Sequence, residues 1–142
     1  MRLFVAVLGA ILYATACSDT PANPSDFLCE DTRQVEVWRA HIFENFAAGA
    51  RIAQARDERN PDATLRHMRD LHLRLRNYFL SEPMPTCMRE AIRIYVDGTE
   101  ALQAEDSKLL AAMQQMSATV DRFGLAVAAA KPEWAKRQDL AP

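Results

Sequence analysis

The chain is 142 residues long, 49% hydrophobic and 25% charged, the composition of an ordinary globular domain with room for one core. Its 17 Lys and Arg against 19 Asp and Glu leave a net charge of −2. That balance argues against nucleic acid, whose phosphates need a concentrated cationic face.

Arg2 precedes an apolar run over residues 3–12, and Tyr13, Ala14, Thr15, Ala16 and Cys17 follow. One positive charge, a short apolar core and a small-x-small end predict an export signal over residues 1–16. The run is too short to span a bilayer, which needs roughly 20 residues. Ala14-Thr15-Ala16-Cys17 resembles the lipobox of bacterial lipoproteins, with Ala14 where that family usually has leucine. The resemblance implies that Cys17 is acylated and becomes the new N-terminus. With Ser18 after it, it further implies the outer membrane if the bacterium has two. Conventional cleavage after Ala16 would instead leave Cys17 as a free thiol in an oxidising compartment. Lipidation removes that liability and leaves an even pair, Cys29 and Cys87, of the three cysteines. Residues 17–25 are polar, carry Pro21 and Pro24, and read as the lipidated end and a linker of at most about 25 Å.

A helical domain is expected over residues 26–130. Ser25 is a plausible N-cap for a first helix running to about Asp57, with Val35, Trp38, Ile42 and Phe46 at helical spacing. Asn60, Pro61 and Asp62 supply a cap, a first-turn proline and an acid at the positive dipole end of a second helix. Its inner face is Leu65, Met68, Leu71, Leu75, Tyr78 and Phe79. Residues 71–76 alternate as a strand would, but the helical period runs through them and they lack β-branched residues. Pro83 and Pro85 force the chain out of that helix.

From Met88 onward, apolar residues recur in steps of four and three: Ile92, Tyr95, Leu102, Leu109, Met113, Met116, Val120, Phe123 and Val127. Only Thr99 and Asp106 interrupt the seam. The expected fold is therefore all-α, an up-down bundle of three long helices, or four if the last breaks near 104–107. Preserved register without proline or glycine at 104–107 favours one unbroken helix. Asp106 on the seam favours the break, because an uncompensated buried carboxylate is costly. An unbroken helix would overrun its partners by about 20 Å. Met116, Val120, Phe123 and Val127 would then form an uncovered stripe for a partner, or for a homo-oligomer. In an up-down bundle Cys29 and Cys87 lie at the same end, so a disulfide between them is expected. Residues 131–142 read as a C-terminal tail, either frayed or a short docking turn anchored by Trp134.

Chemistry is sparse. The chain has no glycine-rich phosphate loop, no Gly-x-Ser-x-Gly, no His-Glu-x-x-His and no Cys-x-x-Cys-His. No catalytic residue, cofactor or metal site is expected. His41 with Glu44, and His67 and His72 near Met68, Met84 and Met88, could supply metal ligands. They are better explained as a solvated pair and as core residues. Arg66, Arg69, Arg74 and Arg76 line the outer side of the second helix, a solvated face or a contact for anionic headgroups or an acidic partner. The functional expectation is a small cell-envelope lipoprotein, not an enzyme, that binds a protein partner as accessory, scaffold or assembly factor. The alternative is a periplasmic metal- or small-ligand-binding helical protein.

Overall fold

A computed structural model describes residues 23–130; Cys17, the export signal and the Trp134 tail lie outside them. Four helices form an up-down-up-down bundle: α1 Thr32–Gln54, α2 Pro61–Ser81, α3 Arg89–Gly98 and α4 Leu109–Ala130. Short 3₁₀ turns at Thr86–Met88, Glu100–Gln103 and Asp106–Lys108 complete it. No strand occurs among the described residues. The expected cap of α2 is in place, with Asn60 Oδ1 accepting from the Ala63 amide at 3.2 Å and Pro61 opening the helix.

The first helix begins later than expected. Asp31 caps it, accepting from the Gln34 amide at 3.1 Å and from the Gln34 side chain at 2.7 Å. These bonds hold the Asp31 carboxyl below its ordinary range. Residues 27–31 instead run across the bundle end, where Phe27 exchanges backbone hydrogen bonds with Met84 (3.2 Å) and Thr86 (3.0 Å). Cys29 therefore precedes α1 rather than sitting inside it. Its Sγ stands at bonding distance from that of Cys87, with the Cα atoms 6.0 Å apart. This cysteine pair fastens the entry of α1 to the entry of α3, which fixes both at one end.

The seam from Met88 to Val127 is not one helix. This corrects the expected third helix and its overhang. α3 stops at Gly98, a 3₁₀ turn follows, and extended backbone at Ala104 (ψ 174°) and Glu105 (ψ 150°) turns the chain back. α4 then runs antiparallel to α3, with Tyr95 beside Phe123 (ring centroids 5.3 Å) and Gly98 against Thr119. A Cβ at Gly98 would overlap the Thr119 side chain, so glycine is what lets the two backbones close. The residues expected to project into solvent are inside. Met116 is 1% and Phe123 4% exposed, while Val120 and Val127 pack, partly buried, against the same core. Energy decides this. Burying each large apolar side chain is worth about 1.5–3 kcal/mol, more than a few broken helical residues cost.

Tyr95, fully buried, is the centre of that core. Phe46, His72, Phe79 and Phe123 lie around it with ring centroids 5.3–6.5 Å away. α2 and α4 run side by side in the same direction, and Phe79 meets Phe123 at 5.9 Å.

Candidate functional site

The metal-ligating residues weighed from the sequence do not converge. His41 stacks its ring on Tyr78 at 3.9 Å, and His67 is exposed. Met88 is wholly buried and Met68 lies beside Gly49. No group of three or more His, Cys, Asp or Glu able to hold a metal occurs among the described residues.

His72 is the one buried histidine, 7% exposed. Its Nδ1 stands 2.7 Å from the Tyr95 hydroxyl, so with the ring neutral one donates and the other accepts. Burial pushes its pKa down to about 4 and pushes that of Tyr95 up. The unfolded imidazole takes a proton below about pH 6.5 and the folded one does not, so stability falls from there down to about pH 4. The expected loss is about 3 kcal/mol. His72→Asn keeps an acceptor near the Nδ1 position and removes the titration. Urea unfolding at a series of pH values should therefore give a flatter profile for that variant than for wild type, and parallel profiles would contradict the assignment.

The four arginines of α2 do not form one free cationic face. Arg69 is committed to Asp106 across the α2–α4 boundary and to Asp70 at 3.4 Å. That explains how Asp106 is tolerated on the seam: it sits at the exposed reversal, paired with a residue 37 positions away. Arg66 lines a groove of about 370 Å³ with Asp62, Leu65, Asp106, Ser107, Leu109 and Leu110, where two carboxylates offset its charge. Arg74 is exposed and Arg76 partly buried.

The feature that sequence reasoning passed over is the outer face of α4. Its 22 residues include two charged ones, Asp121 and Arg122, whereas the 21 residues of α2 include six. Its inner face is accounted for by the core, which leaves Leu110, Gln114, Ala118 and Leu125 toward solvent. Leu110 is 59% and Leu125 72% exposed, among the most exposed large apolar residues described. Asp121 makes no hydrogen bond or ion pair among the described residues, and Arg122 reaches only the Thr119 hydroxyl, at 3.5 Å. A solvent-facing helix ordinarily carries charge throughout its outer side, so low charge density was the available signal. It was masked by assigning the apolar residues of this stretch to an overhang.

No helix among the described residues is long and apolar enough to cross a membrane. No family model, curated protein or solved structure matches the chain.

Proposed function

We propose that this chain is a small exported lipoprotein whose helical domain, tethered through Cys17, binds another protein of the cell envelope and performs no catalysis. The observation that carries the binding role is the outer face of α4, nearly free of charge and bearing the exposed Leu110 and Leu125. Exposed large apolar side chains on a charge-poor face mark interaction sites. Arg2, the apolar run and Ala14-Thr15-Ala16-Cys17 support the tether. The cysteine pair suits an oxidising compartment.

Two measurements test the reading. In fractionated cells, wild type should sediment with membranes and Cys17→Ala should be released; a wild-type chain found wholly in the soluble fraction would sink the tether. In a pulldown from solubilised envelope, Leu110→Glu with Leu125→Glu should lose the partner while melting at an unchanged temperature, because both side chains are already exposed. Retention of every partner would remove α4 as the binding face.

A further inference from the structure

Resting on the reading that the α4 face binds protein, we propose that its occupant is a second copy of this chain, docked α4 against α4 in parallel about a two-fold axis. Charge complementarity across that face selects this occupant. Ala118 and Leu125, seven residues apart, lie on nearly one line along the helix. At 3.6 residues per turn, Asp121 and Arg122 fall about 50° to either side of that line. The face thus carries one acid on its left flank and one base on its right, at nearly the same height.

A two-fold axis parallel to the helices sets each position opposite itself and brings the left flank of one copy against the right flank of the other. Asp121 then meets the partner's Arg122, Arg122 meets the partner's Asp121, and Leu125 packs on its own counterpart. An antiparallel two-fold would set like flank on like flank and oppose equal charges, which is unfavourable. The parallel arrangement also turns the residue-23 ends of both copies the same way, as two copies tethered to one membrane require. A single-helix contact falls short of the roughly 800 Å² per partner of a standard interface. In solution the dimer is therefore expected with a Kd of about 10 to 100 µM, and sharing a membrane raises the effective concentration.

Sedimentation equilibrium of the full chain in density-matched detergent, over about 1 to 500 µM, reads the prediction. Wild type should dimerise, Asp121→Arg should weaken the dimer by about tenfold or more, and Asp121→Arg with Arg122→Asp should restore it to within about threefold. Restoration is the decisive result, since a partner of different sequence would not change its charges to match. Leu125→Cys should also give a self-linked dimer under oxidation, because the parallel two-fold sets each position opposite itself. A chain monomeric throughout that range, or a double variant as weak as the single one, overturns the proposal. Monomeric behaviour combined with loss of envelope capture in the Leu110→Glu, Leu125→Glu variant would reject the second copy and leave the binding face standing. Unchanged capture in that variant would reject the face itself.

Discussion

Met116→Asp combined with Phe123→Asp is expected to leave a chain without a cooperative melting transition. Both side chains are almost wholly enclosed, Met116 at 1% and Phe123 at 4% exposure. Phe123 touches three other aromatic rings, those of Phe46, Phe79 and Tyr95. Truncating a buried methionine or phenylalanine costs about 2–5 kcal/mol before any charge is considered. Placing an unpaired carboxylate in the space adds a desolvation penalty of several kcal/mol. The pair together should exceed the about 5–15 kcal/mol by which a domain of this size is stable. Circular dichroism through a thermal ramp would read the loss directly. Leu110→Asp with Leu125→Asp, on the opposite side of the same helix, should stay within about 0.5 kcal/mol of wild type. A folded, cooperatively melting Met116→Asp, Phe123→Asp protein would mean that α4 does not fold back onto α3.

Reduction of the cysteine pair is expected to lower stability by about 4 kcal/mol. The two cysteines are separated by 58 residues, and the crosslink removes the freedom of that long loop from the unfolded chain. The bond also holds the 27–31 segment over the bundle end. The Cys87 amide donates to the Cys29 sulfur at 3.1 Å, and the Met84 amide donates to Asp26 at 3.1 Å close by. Urea titration with and without dithiothreitol, repeated on Cys29→Ser with Cys87→Ser, should give the same reduced stability in the reduced protein and the variant. A change below about 1 kcal/mol would show that the crosslink does not restrain the unfolded ensemble.

Where the sequence was sufficient, the physics was local or followed from chain direction. Asn60 and Pro61 cap and open α2 because their side chains act on amides within three residues. Leu71, Leu75 and Phe79 face the core because helical spacing puts them on one stripe. The meeting of Cys29 and Cys87 needed only the alternation of helix directions, which puts the entries of the first and third helices at one end. The start of α1 was harder, since Ser25 and Asp31 are both competent caps. The backbone pairing of Phe27 with residues 84–86 and the cysteine pair hold the intervening stretch out of the helix.

The amino-acid sequence by itself determined that this protein is helical and which stripe of each helix is buried, because both depend on periodicity and on side-chain solubility. It also determined that two cysteines would share an end. Only the tertiary structure decided that the seam from Met88 to Val127 is two helices folded on each other. An apolar repeat in register records which side chains avoid water, not which surface covers them. The turn depends on contacts between residues far apart in the chain, namely Gly98 against Thr119 and Arg69 with Asp106. That fold-back turned four expected contact residues into core and left the other side of α4 to face solvent.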